Sequence, residues 1–365
     1  MFMEGSTYYS YGQYSGSTDY SGSDAATVLQ NTINTLNTAG GGIIYIKRGT
    51  YIITTTISMK SNIALIGETC GFEHPWPPAF SVPVTVLKLG DNVNDELLVA
   101  AGENPDGFTE PYTLRDIAFN GNKDNQTVSV NMVDLTLGRI GTIDNCFFFY
   151  AKQDGLVVNY ALVTNCRFAL CGRSCVHLIV DSFFANNGAY SGNTTAGNEN
   201  YSTVEAWSYN FVYNNHIYDI YNPPNPETGT GSGLYVNNNN SVIGNKIRDC
   251  IRHGIKVGGN DNIITGNLVW DNSRGSIGGY DGIYVSGSNN SGSNNIITEN
   301  RCYDDEYSGQ KNQRYGICTT GSSDYNLIMM NNCSGSQNAT FDIYYVGSNN
   351  KVAWNIGRYT PTGSA

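Results

Sequence analysis

From Ile140 onward the apolar positions of this chain fall into two short phrases that recur. In the first, an apolar residue is followed by two variable residues, an asparagine, any residue and a second apolar one: Leu162…Asn165, Val212…Asn215, Val242…Asn245, Ile264…Asn267, Ile297…Asn300, Ile328…Asn331 and Val352…Asn355. Asn145 has a slightly altered lead-in. The second phrase turns on a glycine and alternates after it: Asp154-Gly155-Leu156-Val157-Val158, Gly233-Leu234-Tyr235-Val236, His253-Gly254-Ile255-Lys256-Val257, Asp281-Gly282-Ile283-Tyr284-Val285 and Tyr315-Gly316-Ile317-Cys318. Such runs, bounded by Gly, Asn and Asp, predict brief β-strands. Alternation turns Leu156, Leu234, Ile255, Ile283 and Ile317 inward and leaves Val157, Tyr235, Lys256, Tyr284 and Cys318 facing out on one sheet.

Successive asparagines lie between 20 (145 to 165) and 33 (267 to 300) residues apart, except for the 50 residues from Asn165 to Asn215, where a further coil around Asp181 to Asn187 is expected. A repeat of that size made of strands predicts a solenoid whose shortest coil is three strands with their turns, the longer ones carrying loops inserted on one edge. Parallel coils stack about 4.8 Å apart, so equivalent residues line up from coil to coil. Asparagines at one bend then pass hydrogen bonds from amide to amide. Asn145, Asn165, Asn215, Asn245, Asn267, Asn300 and Asn331 are therefore expected to form one buried ladder.

Ahead of the repeats, residues 25 to 68 read as a short amphipathic helix, a Gly-rich turn and β-branched strands. Val28, Leu29, Ile33 and Leu36 fall at helical spacing, within a helix predicted over Thr27–Thr38, and Asp24 sits where an N-cap oxygen meets the helix's unpaired N–H groups. The apolar face of that helix needs a surface, and the open end of the solenoid offers one, which predicts a cap. Residues 1–23, a low-complexity mixture of Ser, Gly and Tyr, are expected to be a flexible segment or a Tyr-rich tether. Residues 24–365 are expected to form a single domain.

Within this stretch Leu29-Gln30, Gly40-Gly41-Gly42, Ile44-Tyr45-Ile46, Gly49-Thr50-Tyr51, Ile57, Ser61-Asn62-Ile63 and Leu65-Ile66-Gly67 resemble the opening coils of the pectate-lyase-like parallel β-helix superfamily. The resemblance implies an all-β, right-handed parallel β-helix solenoid with a short N-terminal capping helix. It implies a range of activities, since that superfamily includes lyases, hydrolases, epimerases, phage tailspikes and inert adhesins. Arg252-His253-Gly254 and Asp304-Asp305 look like fragments of the polygalacturonase pattern, but out of order and without its Asn-Thr-Asp. The Arg-x-x-Pro-x-x-Arg phrase of calcium pectate lyases and the Asp-Pro-His-Asp phrase of alginate epimerases are absent. No activity therefore carries over residue by residue.

Composition narrows the partners. Only 14% of residues are charged, while 42 Gly and 26 Tyr suit tight turns and polar β surfaces of an extracellular kind. A net charge of −11 argues against nucleic acid and against anionic lipid. No apolar run is long enough to span a membrane. A secreted or surface-attached protein is expected. Of nine cysteines, Cys146 and Cys166 are expected one coil apart, within the roughly 4.4–6.8 Å Cα range of a disulfide. Cys302 and Cys333 are expected to point inward as buried thiols. The odd count leaves at least one thiol unpaired within the chain.

The candidate chemistry lies on the outward column. Tyr235, His253, Lys256, Asp281 and Tyr284 come from three adjacent coils and are expected to line one solvent-facing groove, walled by the insertions Tyr218–Ser232, Asp271–Tyr280 and Asp304–Arg314. In an enzyme, Lys256 neutralises a uronate, Tyr284 or His253 takes a proton and Asp281 orients it. Tyr235, Arg252, Arg314 and Trp76, the last in the insertion Phe72–Phe80, are expected to hold substrate. Asp281 and His253 each precede a glycine, where Asp and His also serve local hydrogen bonding. His177 and His216 lack acidic or thiol partners at ligand spacing, so no metal is expected. A calcium ion near Asp304 and Asp305 is weighed against a solvated loop, and the loop is preferred. Two readings stay open. One is a lyase, hydrolase or epimerase acting on an acidic or neutral polysaccharide. The other is a non-catalytic, glycan-binding or tail-fibre-like β-helix. Both take a polysaccharide or cell-surface glycan as partner, without cofactor, and both accommodate an oligomer.

Overall fold

The computed structural model describes residues 1–12, 18–70, 84–191, 202–219, 231–287, 292–304, 312–334 and 342–358. The chain divides into two compact units, Met1–Val176 and His177–Ala365. Each is a parallel β-helix whose coils contribute a first, a second and a third strand to three parallel sheets. In the first unit the strands Gly42–Ile46, Ile63–Gly67, Tyr112–Arg115, Gly141–Asp144 and Ala161–Thr164 pair in that order. In the second unit the corresponding order is Phe183–Ala185, Phe211–Tyr213, Ser241–Ile243, Ile263–Thr265, Ile296–Thr298, Leu327–Met329 and Lys351–Ala353.

The helix spans Ala25–Thr38 and buries Ala25, Ala26, Val28, Leu29 and Ile33. Asp24 caps it, its carboxylate accepting from the Thr27 N–H at 2.8 Å. Gln30 shows what the helix does for the strand beside it. Its amide accepts from the Ser58 N–H (2.8 Å) and donates to the Ser58 carbonyl (3.1 Å), filling the place of a peptide group in a neighbouring strand. Ser58 lies in the terminal strand of its sheet, where such groups would otherwise face solvent.

Residues 1–22, expected to be flexible, instead include a three-stranded antiparallel sheet of Phe2–Glu4, Thr7–Tyr11 and Thr18–Gly22. The physical reason is the tyrosines. In Thr7–Tyr11 successive residues take opposite faces, so Tyr8 and Ser10 turn inward while Tyr9 and Tyr11 share the other side, and the Tyr8 ring lies 5.8 Å from that of Tyr51. Phe2 stacks on Tyr9 and Tyr11 on the other face. Low complexity concealed a period-two pattern of strong strand formers.

The asparagines explain the register of the second unit. Asn215, Asn245, Asn267, Asn300 and Asn331 lie at the bend between first and second strands, each at most 2% exposed. Oδ1 of Asn267 accepts from the backbone N–H (2.9 Å) and Nδ2 (3.0 Å) of Asn245. Its own Nδ2 donates to the Val242 carbonyl (3.0 Å) and to Oδ1 of Asn300 (2.9 Å). Asn187 enters the file at one end and Asn355 at the other. A second file, not anticipated, runs through Asn210, Asn240, Asn262, Asn295, Asn326 and Asn350 at the bend before the first strand.

Asn145 and Asn165 do not belong to the file. Both are exposed, at φ +49° and +54°, and their amides donate to the carboxylates of Asp116 and Asp144. The buried bend position is held there by Cys146 and Cys166. The inward residue of that coil is Val163, whereas the expected register used Leu162, which is 40% exposed. A slip of one residue exchanges inner and outer faces. In this unit the coils are held in register by a stack of Phe119, Phe148 and Phe168, with ring centroids 4.9 and 5.0 Å apart. All nine cysteines are thiols, and Cys146, Cys166, Cys302 and Cys333 are buried.

Asn267→Ala should lower stability by about 1–3 kcal/mol, because neighbouring amides and a carbonyl lose a buried partner. Asn145→Gly, which keeps the left-handed backbone of that exposed position, should stay within about 0.5 kcal/mol of the parent. Urea denaturation of both variants measures the difference, and equal effects would contradict this register.

Candidate functional site

The third strands of the second unit are Val204–Ser208, Leu234–Asn238, Ile255–Val257, Ile283–Gly287, Ile317–Gly321 and Ile343–Tyr344. Their inward residues Val204, Leu234, Ile255, Ile283, Ile317 and Ile343 are fully buried. Register then sets the outer column: Glu205, Tyr235, Lys256, Tyr284, Cys318 and Tyr344 are successive partners. Tyr235, Lys256 and Tyr284 are half-buried. Cys318 is covered: the Arg314 Nη2 lies 3.9 Å from its sulfur, and burial pushes its thiol pKa up. Val157, the matching residue of the first unit, is also buried.

Asp281 and His253 are not groove-lining residues of the kind expected. Both sit in the bend before the third strand, Asp281 fully buried and His253 only 8% exposed. The Asp281 carboxylate is held by both arms of one guanidinium, Arg314 Nε to Oδ1 at 2.9 Å and Nη2 to Oδ2 at 2.8 Å. Burial pushes the Asp281 pKa up and the guanidinium opposes it. The same pair strengthens the hold of Arg314 on its proton. The bidentate geometry is that of an ionised pair, which leaves this carboxylate occupied.

Asp281 nevertheless orients His253, through its backbone. The Asp281 N–H donates to Nδ1 of His253 at 3.0 Å, so the neutral imidazole carries its proton on Nε2. The ring stacks on Tyr284 (centroids 4.3 Å apart, planes 12° apart) and meets the edge of Tyr280 at 5.1 Å. Its pKa is lowered to about 3, first by burial and then by Lys256, Arg314 and Arg252. With Nδ1 taken and Nε2 protonated, His253 is a poor proton acceptor. Its expected role as a base is not supported by this geometry.

The cations complete the site. The Lys256 ammonium lies 6.0 Å from the centroid of the Tyr235 ring, and the Arg252 guanidinium 5.3 Å from that of Tyr280. The proton affinity of Lys256 is lowered by burial and then by Arg252. Among the described residues Lys256 has no carboxylate within salt-bridge distance. Burial, and then Glu205, pushes the Tyr235 pKa up. The Thr320 hydroxyl donates to the Tyr284 hydroxyl at 3.0 Å. Arg252, Lys256 and Arg314 are thus gathered with Tyr235, Tyr280 and Tyr284. The sequence signal missed Glu205 because Val204-Glu205-Ala206 lacks the leading glycine. It missed the ring role of Tyr280 because that residue lies in an insertion.

Trp76 and His74 lie outside the described residues, as do Asp305 and most of the insertions Tyr218–Ser232 and Asp304–Arg314, whereas Asp271–Tyr280 is described throughout. The Asp304 carboxylate accepts from the Gln313 N–H at 3.0 Å and from the Asn312 N–H, so it braces its own turn. No cluster of three metal-ligating side chains occurs among the described residues.

No family model and no curated protein matches the chain. Solved structures do. The A-modules of two Azotobacter vinelandii mannuronan C-5 epimerases superpose with TM-scores of 0.62 and 0.64 at 18% identity, covering 93% and 90% of this chain and 96% of each of theirs. The tailspike of E. coli bacteriophage HK620, solved with a pentasaccharide, gives 0.60 at 16% identity over 90% of this chain and 61% of that one. What is shared is the fold. These structures are parallel β-helices, as the opening coils resemble.

Two outcomes follow from the buried bend. His253 has a folded-state pKa below its ordinary 6.5, so the unfolded chain binds the extra proton, and stability falls as pH drops from about 6.5 toward 3. In urea melts between pH 7 and pH 4, His253→Gln should lose stability less steeply than the parent, by up to about 1.4 kcal/mol per pH unit. Arg314→Ala should cost about 3 kcal/mol, the lower end for breaking a buried pair, since Arg314 is 35% exposed while Asp281 is sealed.

Proposed function

We propose that the outer column of the second unit binds an acidic polysaccharide built from uronic acids. One observation carries this reading. Three cations, Arg252, Lys256 and Arg314, gather around tyrosine rings on one face of a chain whose net charge is −11. Aromatic rings suit the C–H faces of sugars, and Lys256, with no carboxylate at salt-bridge distance among the described residues, suits the uronate. The neighbouring folds support the class of ligand, since they include mannuronan epimerases and a tailspike bound to a pentasaccharide. With that ligand class goes our proposal that the protein is secreted or surface-attached.

Hydrolysis fits the site less well than binding. It needs two available carboxyl groups flanking the bond. Asp281 is committed to Arg314, and Glu205 is 6% exposed. A second reading, proton abstraction beside a neutralised uronate, is favoured by one contact: Tyr284 is the register partner of Lys256 in the next coil. There Lys256 would hold the carboxylate and the Tyr284 hydroxyl would exchange the proton, as a lyase or epimerase requires.

The parent should be retained on polygalacturonate or alginate and pass through dextran. Lys256→Ala should weaken retention at least tenfold with an unchanged melting temperature. Equal binding of neutral and acidic polymers, or an unaffected Lys256→Ala variant, would overturn the proposal. Appearance of unsaturated or epimerised products, lost in Tyr284→Phe while binding persists, would select the second reading.

A further inference from the structure

The second strands of the same unit carry a different surface. Gly188–Ser191, His216–Asp219, Lys246–Arg248, Leu268–Trp270 and Arg301–Tyr303 pair in that order. Their inward residues include Ile217, Ile247, Val269 and Cys302, all buried. Two outward columns remain. One runs through His216, Lys246, Leu268 and Arg301, the other through Tyr218, Arg248, Trp270 and Tyr303.

The second column is a continuous stack. The Arg248 guanidinium lies 5.1 Å from the Tyr218 ring centroid and 5.8 Å from that of Trp270. Trp270 and Tyr303 are parallel within 3°, with centroids 6.1 Å apart. Arg301 lies over Tyr303 at 4.5 Å. Beside the stack, the exposed side chains of Lys246 and Arg301 have no carboxylate partner among the described residues. Asp249 is shared by two cations, Arg248 at 3.2 Å and Arg274 at 2.5 Å. A cationic face four coils long, about 14 Å at the coil spacing, thus stands on a chain of net charge −11.

The geometry also selects the ligand. The ring faces are used within the stack, so what remains for a ligand are ring edges and guanidinium N–H groups. Nucleic-acid bases need open ring faces on which to stack. A chain of hydroxyls and carboxylates needs donors and cations in a row, spaced on the scale of a sugar ring. We propose that this face is a second binding site for an acidic polysaccharide, lying along the coils and separate from the Tyr235–Lys256–Tyr284 column. The proposal takes its ligand class from the proposed function and its residues from elsewhere.

The test is titration of the full chain with polygalacturonate, dextran sulfate and dextran at low and moderate salt. The Lys246→Ser/Arg301→Ser double variant should lose about tenfold in affinity for both polyanions and show a shallower salt dependence, as fewer counterions are released. Lys246→Arg/Arg301→Lys should keep the parent's affinity. Combined with Lys256→Ala, the Ser double variant should abolish the binding that remains. If Lys256→Ala alone weakens binding and the Ser double variant matches the parent, this site is refuted and the first stands. If the Ser double variant alone weakens it, this site stands and the first is refuted. Tighter binding of a single-stranded oligonucleotide through Lys246 and Arg301 would overturn the assignment to polysaccharide.

Discussion

Hydrogen bonding between equivalent residues of successive coils is the constraint from which the rest of the second unit follows. A first strand such as Ile263–Thr265 has one inward side chain, Ile264, too little apolar contact to define its own register. The asparagine files supply the missing specification. Each buried amide must find two donors' and two acceptors' worth of partners, and only the coil above and the coil below, in one register, provide them. The Asn245–Asn267–Asn300 contacts of about 3 Å fix the bend on one side of the first strand, and the Asn240–Asn262–Asn295 contacts fix it on the other. Once both bends are set, every outward residue is set as well.

That is why a functional face on such a molecule is a column. Tyr235, Lys256 and Tyr284 are neighbours only because Leu234, Ile255 and Ile283 are stacked beneath the same sheet. The loops that precede these strands lengthen the coils without disturbing the columns, so ligand chemistry and coil stacking vary separately. Asp281 and Arg314 illustrate the boundary between the two. The pair looks like catalytic equipment in the sequence. In the fold it anchors the bend in front of the sheet, presents the imidazole of His253 to Tyr284 through a backbone N–H, and keeps a third positive group beside Lys256 and Arg252.

Much of this was legible from the chain. The alternation after each glycine located the inward residues and the outward column, since period two is a direct consequence of strand geometry. The asparagine phrase located the ladder from Asn215 to Asn331. It failed at Asn145 and Asn165, where the amide residue occupies the left-handed position of the bend and a cysteine takes the buried one. Asn is favoured in both places, for different reasons, and spacing alone does not distinguish them. The N-terminal tyrosines were read by composition when their alternation was the better signal. Burial of Asp281 and His253 was not legible, because a residue before glycine in such a turn can point to either side of the wall.

The distribution of charge then argues about function in a way no single motif does. Cations gathered in one column repel one another and lose hydration, a cost that persists unless a partner of opposite charge recovers it. Asp281 and Asp249 answer only part of that cost, pairing with Arg314, Arg248 and Arg274. Lys256, Lys246 and Arg301 are left facing outward on sheets whose register the asparagines hold rigid. Cations held on a rigid sheet two coils apart, as Lys246 and Arg301 are with Leu268 between them, suit the separated charges of an extended anion better than a compact one.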